Sequence, residues 1–67
     1  MKEWNGYYIK TYRHRSGNIT GWTYEIYEAI AEKLMLITEG LPKELFDSQI
    51  SAQIAAKGYI TMMKGVK

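Results

Sequence analysis

The segment Arg13-His14-Arg15-Ser16-Gly17-Asn18 holds the densest chemistry in the chain. Two guanidinium groups on a tight turn, with Tyr7, Tyr8 and Tyr12 just before them, can grip phosphates and stack on bases. The same side chains can seat in an acidic pocket of another protein, because Tyr and Arg dominate interface energetics. A solvated turn whose charges only keep it soluble is the plain alternative. The candidate contacts for a protein partner here are Tyr8, Lys10, Tyr12, Arg13 and Arg15. For a nucleic acid they are Lys10, Arg13 and Arg15.

His14 is the single histidine, and the chain has no cysteine. A metal shell needs partners that are missing from this composition. As a general base His14 would need an orienting acid, and the sequence places none beside it. Glu25, Glu28 and Glu32 are spaced three and four apart, so on a helix they would share one stripe. Grouped carboxylates can do acid–base work or hold a hard cation. Two short helices and a hairpin enclose little volume for a substrate, so a solvated acidic face is the reading. No glycine-rich phosphate loop, nucleophile elbow or zinc spacing is present. No catalytic residue, metal ligand or cofactor is expected.

The elements that carry these residues follow from the apolar pattern. Residues 6–15 are rich in Tyr, Ile and Thr without helical spacing, which predicts a strand. Gly17-Asn18 suits a two-residue loop of the II′ type. That loop sets Ser16 against Ile19, Arg13 against Trp22 and Lys10 against Glu25, giving a hairpin over about 6–24. Ile26, Ile30, Leu34, Ile37 and Leu41 then step by four, four, three and four, which predicts a helix over about 24–40 with Thr23 as N-cap and Gly40 at its end. Pro42 opens a second helix over about 42–57, with Leu45, Phe46, Ile50 and Ile54 inward. Gly58 closes it, and Tyr59-Ile60-Thr61-Met62-Met63 reads as a short strand over about 59–63. The expected fold is thus a small α+β domain spanning 1–67: an N-terminal antiparallel hairpin, two helices and a short C-terminal strand. Its expected core is Ile9, Trp22, Ile26, Ile30, Leu34, Ile37, Leu41, Leu45, Phe46, Ile50, Ile54 and Ile60.

Ser48, Ala52, Ala55 and Ala56 are small residues that let another element approach closely. Gln49 and Gln53 could read adenine only if their helix entered a groove. Too few residues follow Gly58 to build a recognition helix.

Charge is arranged in blocks. Residues 1–15 carry a net of +3, residues 23–47 a net of −4 and residues 48–67 a net of +3, within a total of +2. A dedicated nucleic-acid binder carries a larger basic excess. Apolar residues make up 46% of the 67, which places the chain among globular proteins. No apolar run approaches the ~18 residues of a membrane span, and no signal-peptide core is seen, so a cytoplasmic setting without membrane contact is expected.

A domain of about 60 residues buries only ~60% of its unfolded surface, and small folds add disulfides, a metal or a second copy. With the first two unsupported, a homodimer is expected. Leu34-Met35-Leu36-Ile37 adds to this: on a helix, four consecutive apolar residues point around the whole circumference, so Met35 or Leu36 is expected to face a partner, the alternative being that the hairpin covers one side and the second helix the other. The functional expectation is a small non-enzymatic regulator or inhibitor, of the kind phages and mobile elements carry. It would act as a homodimer that occludes an unidentified protein. The alternative is a DNA- or RNA-binding accessory protein using the basic, tyrosine-rich hairpin.

Overall fold

Strand-forming residues govern the first half of the chain. The computed structural model describes residues 1–41 and 43–65. Four strands follow one another, β1 (Lys2–Trp4), β2 (Tyr7–Ser16), β3 (Ile19–Ile30) and β4 (Lys33–Leu36), and then one helix, α1 (Gln49–Gly65). The strands form one antiparallel sheet in the order β1-β2-β3-β4, so each pairs with its neighbour in the chain.

Two-residue loops join them. Asn5 and Gly6 both adopt positive φ (55° and 87°), as the twist of a tight hairpin requires. Gly17 has φ 63°. Across that loop Ser16 faces Ile19, Arg13 faces Trp22 and Lys10 faces Glu25, the register that the Gly17-Asn18 turn implies. The third loop, Ala31-Glu32, also has positive φ at both residues (53° and 66°), but with no glycine. A side chain in that region costs about 1–2 kcal/mol per residue.

One face of the sheet packs against α1. Ile9 and Ile26, directly opposite each other, meet Ala56 and Ile60 of the helix, and all four are buried. Trp4, Tyr7, Tyr24, Ile37, Tyr59 and Met63 pack around them. Ala52, Ala56 and Ile60 form the fully buried row of the helix, and small side chains such as alanine allow close approach. Ser48 caps α1: its Oγ accepts from the Ser51 N–H at 3.1 Å and its carbonyl from the Ala52 N–H at 3.1 Å. After β4 the Ile37 N–H donates to the Ile26 carbonyl (2.9 Å), and the chain then leaves the ladder. It returns at Phe46, which exchanges both backbone hydrogen bonds with Trp22 (2.7 and 2.8 Å).

This architecture overturns the expected hairpin with two helices. The segment 24–40 is not helical: β3 continues to Ile30, turns at Ala31-Glu32 and returns as β4. Thr23 is accordingly no N-cap but a buried strand residue. The helix expected over about 42–57 begins only at Gln49 and runs to Gly65. Its expected start, Pro42, lies outside the described residues. Gly58 does not end it, and the strand expected over about 59–63 is its last turns. The core is smaller than expected. Ile30, Leu34, Leu41, Ile50 and Ile54 are exposed, whereas Ala52 and Ala56 are fully buried.

Candidate functional site

Strand alternation divides the expected contact residues between two surfaces. Tyr8, Lys10 and Tyr12 lie on the face away from α1, with Tyr27 and Glu25 opposite the first two. Leu36, opposite Tyr27, shares that face. Arg13 and Arg15 share the α1-facing side with Ile9, as does Met35, which is paired with Glu28. The four-residue girdle Leu34–Ile37 is therefore not wrapped around a helix. In a strand it simply supplies both faces, with Leu34 and Met35 exposed and Leu36 and Ile37 half-buried. Glu25, Glu28 and Glu32 are likewise dispersed: one on each face and one in a turn.

The open face is organised around Glu25. Its carboxylate accepts a hydrogen bond from the Tyr27 hydroxyl at 2.8 Å and lies 3.7 Å from the Lys43 ammonium. Lys43 also donates to the Tyr12 hydroxyl and lies over the Tyr12 ring. That hydrogen bond, more than the nearby charges, holds the Lys43 pKa above its ordinary value. The bond to Glu25 does the same to the Tyr27 hydroxyl. This network ties the segment after β4 back onto the sheet. Together with Leu45, packed on Gly21, it covers the end of that face. His14 meets Tyr12 edge to face, with ring centroids 6.4 Å apart.

On the other face the helix begins beside Thr11, whose Oγ1 accepts from the Gln49 side-chain amide at 2.9 Å. At its far end Lys64 donates to the Asn5 carbonyl at 3.3 Å. The helix thus runs from mid-sheet toward the β1–β2 turn. Arg13 and Arg15 project past its start, at the free end of a molecule 38 Å long. Arg13 stacks 5.9 Å from the Trp22 ring, and the Arg15 Nε–H donates to the Gly17 carbonyl at 2.9 Å.

Among the described residues, two clefts on the surface bear on the candidate site. One, of about 200 Å³, lies where the chain leaves the ladder and is lined by Glu25, Glu39, Glu44 and Lys43 among others. It is smaller than the roughly 300–1,000 Å³ that a small-molecule site occupies. The other, of about 450 Å³, lies between the start of β1, Lys10 and Thr11 of β2, and Gln49 and Gln53 of α1. Among the described residues no group of three or more His, Cys, Asp and Glu is placed to hold a metal ion. No helix among them is long and apolar enough to cross a membrane.

Comparison with protein-family models, with curated proteins and with solved structures returned no match.

Sequence reasoning missed Thr11, Tyr27 and Lys43 as surface-shaping residues. The Asn5-Gly6 dipeptide is a strong hairpin signal. It would have ended β1 close to the N-terminus and shown that β2 outruns its partner.

Proposed function

We propose that this protein is a non-enzymatic binding protein that works by docking on another protein, and that it does so as a homodimer. The observation that carries this reading is the imbalance of its apolar residues. Among the described residues nine large hydrophobics are exposed, while the buried core holds five hydrophobic residues, two of them alanines. Such surplus apolar surface marks interaction sites.

The outer row of α1 is the best-formed part of that surplus. Ile50, Ile54 and Met62 are 68%, 65% and 71% exposed, and Gly58 lies between them at the same four-residue step. Lys57 and Lys64, the only charged residues of the helix, stack on Trp4 and Tyr7 at the sheet, so the outward face carries no charge. A solvent-facing helix surface is ordinarily polar. The row is self-complementary. In an antiparallel pair of helices Ile50 meets Met62, and Ile54 meets Gly58, where an added Cβ would meet nothing within 4 Å beyond its chain neighbours and its own helix backbone. The pairing also sets Glu44 and Asp47, before the helix, near the Lys64 end of the second copy, so opposite charges and opposed helix dipoles coincide. A second copy is therefore the occupant of this face. Light scattering on the wild type should give twice the chain mass, and Ile54→Glu should give the chain mass. A wild-type monomer at high micromolar concentration overturns the homodimer.

A nucleic-acid reading retains one supporting observation, the Arg13 guanidinium stacked on Trp22 beside Arg15 at the free end of the hairpin. Against it, Lys10 lies on the opposite face, paired with Glu25. Binding of a labelled duplex at low salt that weakens steeply with added salt, with a slope flattened by Arg13→Ala and Arg15→Ala together, would favour it over protein docking.

A further inference from the structure

We propose that the free edge of β2, from Thr11 to Ser16, accepts an acidic extended segment of a partner protein as an added strand. This rests on the protein-docking reading and names the chemistry of the partner.

The edge is free because β1 is short. It has three residues against the ten of β2, and its pairing stops at Lys2↔Ile9. Past that point no described strand lies along the outer side of β2. Backbone direction follows from the loops. A two-residue hairpin closes on a pair that exchanges both hydrogen bonds, and such pairs alternate along an antiparallel ladder. Ser16↔Ile19 and Trp4↔Tyr7 are the closing pairs. Even-numbered residues of β2 therefore bond to β3, and odd-numbered residues face outward. Tyr7 and Ile9 bond to β1. Thr11, Arg13 and Arg15 turn their N–H and C=O groups to an empty edge. An unpaired edge of this kind is a template for another strand.

Charge selects the strand. From Tyr7 to Ser16 the side chains include Lys10, Arg13, His14 and Arg15 and no acid. Like charges across a strand pair repel, so this edge refuses a second copy of itself. A segment with carboxylates at alternate positions meets Arg13 and Arg15 on one face, or Lys10 and His14 on the other. Five residues of such a segment run alongside Thr11 to Arg15, a reach of about 14 Å over four strand steps. At the Thr11 end the track opens into the 450 Å³ cleft lined by Lys2, Gln53 and Gln49, the last already donating its amide to Thr11, so Lys2 and Gln53 offer donors for the end of the segment.

The test is a titration of the isotope-labelled protein with an acetylated hexapeptide alternating glutamate and valine, read by amide shifts and hydrogen exchange. In the free protein the amides of Thr11, Arg13 and Arg15 should exchange fast, and those of Tyr12 and His14 slowly. With peptide the first three become protected. Methylating the alternate peptide nitrogens that face β2 should weaken binding by about tenfold or more, since it removes the added ladder bonds. Arg13→Gln with Arg15→Gln should do so by a similar factor and reduce the salt dependence. The peptide arm needs no variant protein, so misfolding cannot mimic its result. No shift at millimolar peptide overturns the proposal, as does binding that ignores backbone methylation or protects other amides. If light scattering still finds the dimer in that sample, only the edge assignment falls. An oligonucleotide that perturbs these amides when the peptide does not would also overturn it, in favour of the nucleic-acid reading.

Discussion

Leu45 lies directly on Gly21: a methyl group built at Gly21 would sit 2.9 Å from the Leu45 Cβ and 3.0 Å from the Phe46 carbonyl oxygen. Gly21 has no positive φ, so it is required for space and not for backbone conformation. The missing side chain lets the returning chain reach Trp22 and close its pair of backbone bonds.

Gly21→Ala should therefore cost about 1–3 kcal/mol, the range for overpacking a close contact. The loss should show as a lower urea midpoint with an unchanged slope. A variant as stable as the wild type would mean that the Phe46–Trp22 closure yields easily.

The Ala31-Glu32 turn invites the opposite result. Both residues hold a left-handed conformation that Asn and Gly adopt far more readily. Ala31→Asn with Glu32→Gly should stabilise the fold by about 1 kcal/mol or more. In a domain of this size that raises the thermal midpoint by roughly 4–8 °C. A fall in the midpoint would show that another conformation of this turn prevails in solution.

Alkaline pH should destabilise the protein. Burial, chiefly, raises the Tyr24 hydroxyl, with Glu44 and Tyr59 adding to it. Hydrogen bonds to Glu25 and Tyr12 chiefly raise Tyr27 and Lys43. All three groups keep their protons to higher pH when folded than when unfolded. The stability they contribute is fully present below about pH 10 and is lost as pH rises through the folded values. Thermal midpoints measured from about pH 9 to about pH 11 should fall, and Tyr27→Phe should make the fall shallower. A flat profile would contradict the hydrogen-bond network on the open face.

Gly58 separates two effects by sign. Within a helix Gly is about 0.8–1.0 kcal/mol worse than Ala, and Gln is close to Ala. In the monomeric background of Ile54→Glu, Gly58→Gln should raise the thermal midpoint. In the wild-type background it should lower the association constant, because its side chain fills the space into which Ile54 of the second copy packs. A gain in both backgrounds would place the dimer interface elsewhere.

The parts of the fold that could be read from the sequence were those whose turns carry their own chemistry. Gly17-Asn18 set the β2–β3 register residue by residue. Ala31-Glu32 carries no such mark, and both residues suit a helix interior, so the sequence across the β3–β4 hairpin predicts a helix. The apolar spacing could not correct this. A step of four returns to the same side of a strand as well as of a helix, so Ile26 and Ile30 satisfied both periods. In α1 two rows were available at that same step. Hydrophobicity favours Ile50 and Ile54 as the inner row, but the sheet takes Ala52, Ala56 and Ile60, all fully buried. The contact residues on β2 were identified by type. Their division between faces became legible only with the strand register, and the empty edge they share only with the length of β1.

Each strand after β1 pairs with the one before it in the chain, through turns two residues long. Its ladders can zip from those turns without first closing long loops, and short sequence separation between contacting residues is what makes chains fold quickly. The helix depends on a different event, because Ile60 must find Ile9 and Ile26 across most of the chain. Docking of α1 is therefore expected to limit the rate, and truncation of Ile60 should then slow refolding; an unchanged refolding rate would place the limiting step in the sheet.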